Sequence, residues 1–106
     1  MYQLVIYIPA SHCETVKQAM FDAGAGRYDG YDQCAWQVAG QGQFRPLEGS
    51  QPFIGNQNEL ETVEEYRVEM ICKKVCLKQV VRAMLAAHPY EQPAYAVLKH
   101  TEIDEL

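Results

Sequence analysis

The sequence predicts an α+β sandwich of the ferredoxin-like type, β-α-β-β-α-β, with two helices on one face of a four-stranded antiparallel sheet and an arm between the second and third strands. Three observations carry that expectation. Two segments space their apolar residues as helices do, and four others have strand character. These six alternate in the required order along 106 residues, a length with room for one core. The one long stretch without clear periodicity, 40–58, falls between the second and third strands.

Tyr2 to Ile8 reads Tyr-Gln-Leu-Val-Ile-Tyr-Ile, a β-branched and aromatic run that suits a central strand, and Pro9 ends it. Val5 and Tyr7 alternate with Leu4, Ile6 and Ile8, so this strand is apolar on both faces. A helix layer covers only one face, so a partner subunit is expected on the other. Ser11-His12-Cys13-Glu14 matches a capping box, with Ser11 as N-cap and Glu14 reaching back. Val16, Ala19, Met20 and Ala23 then share one helix face, and Gly24 and Gly26 stop the helix. Cys34 to Ala39 is expected as the second strand, with Cys34, Trp36 and Val38 facing the core.

From Gly40 to Asn58 the chain turns to Gly, Gln, Pro and Asn, with Phe44, Leu47, Phe53 and Ile54 scattered through it. Such a stretch in a small domain predicts a functional loop or a projecting β-arm. Gly40 and Gly42 suit a bend or bulge where the strand becomes the arm. Tyr66, Val68, Met70 and Cys72 alternate with Glu65, Arg67, Glu69 and Ile71 in the third strand. The second helix carries Leu77, Val80, Val81, Met84, Leu85 and His88 on one face and ends at Pro89. Ala94 to Leu98 is the last strand. Residues 1–100 then make a single domain with its arm at 40–58, and 101–106 an acidic tail.

Composition narrows the function. Hydrophobic residues at 48% and charged residues at 22% are those of a globular chain. A net charge of −5 argues against nucleic acid, which demands clustered Lys and Arg. Lys74, Lys78 and Arg82 do form a stripe on the second helix, readable as a solvated face or as a docking surface. No run approaches the roughly 20 apolar residues of a membrane span, and Met1 to Ile8 has no basic n-region. A cytoplasmic protein without a membrane partner is expected. Cys13, Cys34, Cys72 and Cys76 then remain free thiols, and as small buried hydrophobes they need no further role.

The topology sorts the chemistry-bearing residues into two poles. The first strand ends where the first helix begins, so His12 shares a pole with the arm, and the second helix climbs to His88, Tyr90 and Glu91 at that same pole. Cys34, Cys72 and Cys76 fall at the other. His12, His88 and Glu91 would suit a divalent Zn or Cu, although ordinary helix-end residues are a complete reading of both histidines. Cys34 could join a metal only across a subunit interface, where its thiolate would favour Cu(I) or Zn. Arg45, Tyr90, Glu91, Gly40 and Gly42 are the candidates for a small ligand. Gly40-Gln41-Gly42 lacks the following helix that a phosphate loop needs. No G-x-S-x-G or H-E-x-x-H occurs, so a hydrolase would have to rest on His12, His88 and Glu91.

His88-Pro89-Tyr90-Glu91-Gln92-Pro93-Ala94-Tyr95 is the most distinctive stretch, and it resembles the His-Pro-Tyr-Glu-x-Pro segment opening the last strand of CutA-like, PII-like proteins. With Ala23-Gly24-Ala25-Gly26, Tyr31-x-x-Cys34, Gly40-x-Gly42-x-Phe44-x-Pro46, Gly49 and Gly55, the chain is similar to the small domain inserted in YqfO-type proteins of the Nif-three-like family, here standing alone. The resemblance runs from Tyr2 to about Leu98. It implies a ferredoxin-like fold that tends to form trimers by joining sheets. It also implies an arm placed like the PII effector loop, ligands in clefts between subunits, and a CutA-like link with divalent metals, especially copper. The dinuclear metal site of full-length YqfO-type proteins belongs to their flanking domains, so the resemblance brings no cyclohydrolase label with it. The expectation is a small homo-oligomer, trimer before dimer, that binds a divalent metal or a metabolite near the arm in a regulatory role. The alternatives are a protein-interaction module docking through the arm and basic stripe, and a minor metal-dependent hydrolase.

Overall fold

Eight residues, Tyr2–Pro9, form β1, and its β-branched run sits between two antiparallel partners. The structure, a computed structural model, describes residues 1–106. After β1 come a 3-10 turn, Ala10–His12, then α1, Cys13–Asp22, β2, Trp36–Phe44, and β3, Glu61–Cys72. They are followed by α2, Lys74–Ala87, β4, Tyr95–Lys99, and a terminal 3-10 turn, Ile103–Glu105, within the acidic tail. The sheet runs β2-β3-β1-β4 with every pairing antiparallel, which is the α+β ferredoxin-like order that the sequence predicts.

One face of the sheet packs on the helices. Leu4, Ile6 and Ile8 stand opposite Met70, Val68 and Tyr66, and Val16 and Met20 of α1 close over them with Val80 and Met84 of α2. All of these except Tyr66 are fully buried. Leu85, expected on that face, is exposed instead. The other face bears no helix. There Val5 is buried among a polar layer in which Gln3 donates to Glu69 at 2.8 Å. Arg67 reaches both Glu69, at 3.3 Å, and the Tyr7 hydroxyl, at 3.1 Å.

β2 departs from expectation in three ways. It begins at Trp36 rather than Cys34, and its sides are exchanged. Trp36 stands opposite Glu69 and Val38 opposite Arg67, which puts both on the open face at 60% and 44% exposure. Gln37 takes the core side opposite Val68, where its side-chain oxygen accepts from Lys17 at 2.8 Å. Strand periodicity is two, so the alternation survives while register against β3 decides which set turns inward. There is also no bulge at Gly40 or Gly42. The pairing continues unbroken to Phe44↔Glu61, so the first five residues of the expected arm are a β-ribbon and the irregular loop covers 45–60. Because β1 ends at Pro9↔Glu65, residues 61–64 pair with β2 alone and the ribbon projects past the sheet. The molecule is accordingly long, 49 × 29 × 24 Å.

The capping box does not form. Ser11 lies inside the 3-10 turn and its hydroxyl is 2.8 Å from His12 Nδ1, while Glu14 turns forward to Lys17 at 3.2 Å. His12 is the N-cap of α1 and makes no side-chain cap bond, since the turn already uses the preceding residues. Ser11→Ala is therefore expected to change stability by less than about 0.5 kcal/mol, as an exposed substitution without a lost cap. A loss near 1 kcal/mol in the urea midpoint at constant m would restore Ser11 as the cap.

After α1 the chain reverses at Gly26, whose φ of +75° is open to glycine and strained for other residues. Its N–H donates to Ile71 at 2.8 Å and its carbonyl accepts from Cys34 at 2.8 Å, tying the helix end to β3 and to the lead-in of β2. Cys13 and Cys72 are buried, and burial pushes both thiols up, so they stay protonated and inert. Lys74, Lys78 and Arg82 are exposed along α2. No helix is long and apolar enough to cross a membrane.

Candidate functional site

The His88–Glu91 run folds as it does because of Pro89. A residue before proline is held out of the α region, so α2 stops at His88, which adopts φ −72° and ψ 133°. That bend turns the imidazole inward, where it is 6% exposed. Both ring nitrogens are used: Nε2 donates to the Tyr7 carbonyl at 2.8 Å, and Nδ1 accepts the Tyr90 N–H at 3.2 Å. The second contact requires an unprotonated Nδ1, so the neutral Nε2–H tautomer is the one that fits. Burial lowers the His88 pKa against the opposing pull of the Tyr7 carbonyl and Glu65, and His12 lowers it further.

Tyr90 packs its ring 4.9 Å from that of His88 and donates its hydroxyl to Glu65 Oε2 at 2.7 Å. Burial, with the Glu65 bond and charge added, pushes the phenol well above its usual range and keeps the proton on oxygen. Gly42 makes this possible, because a Cβ there would collide with the Glu65 carboxylate. Absence of that side chain lets Glu65 lie across the ribbon toward Tyr90.

Above Tyr90 lies a cavity of about 140 Å³ between the arm loop and the segment after α2. Phe44, Pro46, Pro52, Phe53, Ile54 and Tyr90 form its apolar walls, and Ser50, Glu91 and Gln92 its polar ones. The rings of Phe44 and Phe53 stand 6.0 and 6.5 Å from that of Tyr90, tilted by 59° and 50°, so they meet as a concave corner. The Glu91 carboxylate accepts the Gln51 N–H at 3.3 and 3.4 Å, fastening the loop to the post-helix segment. His12 abuts the outside of this wall, edge-on to Phe53 at 5.3 Å.

Of the residues selected from sequence, Tyr90 and Glu91 line the cavity and His12 borders it. Arg45 is exposed and is not among the lining residues. Gly42 lines two further hollows on the open side of the sheet, of about 320 and 210 Å³, and Gly40 lines the smaller of them, both with Tyr7 and Glu65. The expected metal set of His12, His88 and Glu91 does not assemble, and no group of three or more His, Cys, Asp or Glu is placed to hold a metal. The reason is chemical: His88 spends both nitrogens internally, which leaves only His12 and Glu91 of the three as donors. Within one chain Zn or Cu would therefore meet at most two of the three expected donors. Cys34 lies at the far end, beside Tyr28, Tyr31 and Trp36. Phe44, Phe53, Ile54 and Glu65 belong to the site although the sequence does not single them out as ligand-binding. The first three were legible as apolar residues in a polar loop, whereas Glu65 becomes visible only once register places it opposite Gly40.

No family profile matches the chain. It is 44% identical over 95 residues to a GTP cyclohydrolase 1 type 2 homolog of Halalkalibacterium halodurans, covering 90% of this chain and 26% of that protein. The like-named protein of Mycobacterium tuberculosis is 45% identical over 93 residues, 88% of this chain and 24% of that one. The chain thus spans about a quarter of the length of these curated relatives. Among solved structures, a Bacillus cereus protein related to NIF3 superposes with a TM-score of 0.78 at 39% identity, covering 92% of this chain and 24% of that one. Pyrococcus horikoshii CutA superposes with a TM-score of 0.69 over 99% of this chain and 89% of its own, at 15% identity, a likeness of fold. The chain is therefore homologous, along nine-tenths of its length, to one segment of the NIF3-related GTP cyclohydrolase 1 type 2 homologs, and it has the fold of the CutA proteins.

Proposed function

We propose that the chain is a self-associating binding module of regulatory type that holds a small molecule in the cavity under its arm. The observation that carries this reading is the cavity itself, an aromatic corner closed by a loop fastened to Glu91. Apolar walls with a few convergent polar groups are the usual form of a ligand site. Self-association is supported by the uncovered sheet face, where Trp36, Val38 and Leu98 are exposed around the buried Val5. Three copies joined through their sheets is the arrangement we favour, and free thiols suit a cytoplasmic setting.

Fold neighbours include a protein named as a divalent cation tolerance protein from Thermus thermophilus. A divalent ion on this chain would need donors from more than one copy, such as His12 and Glu91 of one and Cys34 of another. The relatives whose names carry cyclohydrolase are proteins about four times as long. A hydrolase built on His12, His88 and Glu91 is disfavoured by the internal engagement of His88. Arm-mediated protein docking is weakened by the Gln51–Glu91 contact, which turns the loop onto its own domain.

Native mass spectrometry and NMR of untagged protein test the proposal together. The expected species is a trimer, and a monomer at micromolar concentration would refute self-association. A mixture of small metabolites should shift the signals of Phe44, Ile54 and Glu91. Shifts confined to other parts of the surface would remove the cavity as the site.

A further inference from the structure

We infer that the arm cavity selects an organic cation, a ligand bearing a compact alkylated ammonium group. The inference deepens the binding reading above and rests on it. Three rings, Phe44, Phe53 and Tyr90, converge on one space with tilts of 50–59° between neighbours, presenting π surfaces from different directions. The face of an aromatic ring carries the negative part of its quadrupole and attracts a cation within about 6 Å of the centroid. Tyr90 is the central ring, and its hydroxyl donates to the Glu65 carboxylate, a contact that pushes electron density back into the ring.

The charges around the cavity agree. Glu91 is an acidic lining residue, and no Lys, Arg or His lines the space. Arg45, the cation of the arm nearest in sequence, is outside it. Both Glu91 oxygens share a single backbone N–H, which leaves the carboxylate capacity for a further partner. An anionic ligand would meet this carboxylate with no countercharge, and a neutral ring would fill the walls and leave the carboxylate unused.

Size and hydration favour an alkylated cation over a bare ammonium. A cavity of roughly 150 Å³ accommodates a six-membered ring, so this one accepts a headgroup of that bulk. A primary ammonium carries three N–H donors, and while Glu91, Ser50 and Gln92 offer it acceptors, the Phe, Ile and Pro walls that make up most of the lining offer none. Methyl groups on nitrogen spread the charge over an apolar surface that those walls can cover.

Choline and 3,3-dimethylbutan-1-ol have the same shape and differ in charge, so titrating each into the full chain by calorimetry isolates the cation. Choline is expected to bind about tenfold more tightly than the alcohol, within the range of cation–π attraction in a partly desolvated site. Phe53 is half exposed, so Phe53→Leu keeps an apolar side chain without disturbing the core and removes one π face. It should weaken choline several-fold and the alcohol by a smaller factor, as should Glu91→Gln, so that the preference for choline narrows. Equal affinities for the two probes would overturn the cation class. If choline fails while other small molecules still shift the cavity signals, only this inference falls. If no small molecule shifts them, the binding reading falls with it.

Discussion

His88→Ala is expected to destabilise the chain by about 3 kcal/mol, through a cavity at a buried site and the orphaned Tyr7 carbonyl and Tyr90 N–H. The measurement is the urea midpoint at constant m. A loss below about 1 kcal/mol would mean that water or a shifted Tyr90 satisfies both groups. The same residue makes stability depend on pH. Its folded pKa lies below its unfolded value, so the neutral form contributes fully above the unfolded pKa of about 6.5. That contribution declines as pH falls below about 6.5 toward the folded pKa, because protonation removes the Nδ1 acceptor. The wild-type midpoint should thus drop more steeply on acidification than that of His88→Ala. Parallel acid slopes would assign the pH dependence to other groups.

Gly26→Ala is expected to cost about 2–3 kcal/mol, combining backbone strain with steric collision. A φ of +75° disfavours any side chain, and here a Cβ would come within 2.8 Å of the Cys34 carbonyl oxygen and 2.9 Å of the Phe21 ring. Phe21 could rotate aside, but Cys34 is held through its backbone by the bond between its N–H and the Gly26 carbonyl. Relief would therefore pull the lead-in of β2 away from α1. The thermal midpoint reports the loss, and a variant within a few tenths of wild type would show that this turn relaxes freely.

The parts of the molecule that were legible in sequence are those fixed by local patterning. β3 and α2 repeat their apolar residues at the periods of strand and helix, β1 is a nearly continuous β-branched and aromatic run, and the order of elements then leaves few topologies open. β2 was harder, because Cys34, Trp36 and Val38 alternate correctly yet the choice of face depends on pairing with Arg67 and Glu69. Ser11 and Glu14 have the spacing of a capping box, but Pro9 and the 3-10 turn shift the helix start past Ser11. At the site, Tyr90 and Glu91 were accessible through topology alone. The failure of the metal set was not, since it turns on which atoms His88 meets. Phe44 and Phe53 are nine residues apart without periodicity, and only the folded loop makes them walls of one cavity.

The ribbon formed by the outer halves of β2 and β3 has a kinetic consequence. Residues 41–44 and 61–64 have only each other as sheet partners, and an isolated two-stranded ribbon is marginal in water. Its tip is restrained by the Gln51 N–H donating to Glu91 at 3.3 and 3.4 Å and by Phe53 packing against Tyr90 and His12. Opening of the arm would break these contacts and leave Leu4, Ile6 and Met84 packed. Entry to the cavity would be governed by how often this gate opens, and occupancy would hold it shut. The affinity measured for any guest would be its intrinsic affinity scaled by the fraction of chains in the receptive state, so a substitution that merely tightens the ribbon could alter binding without touching the guest.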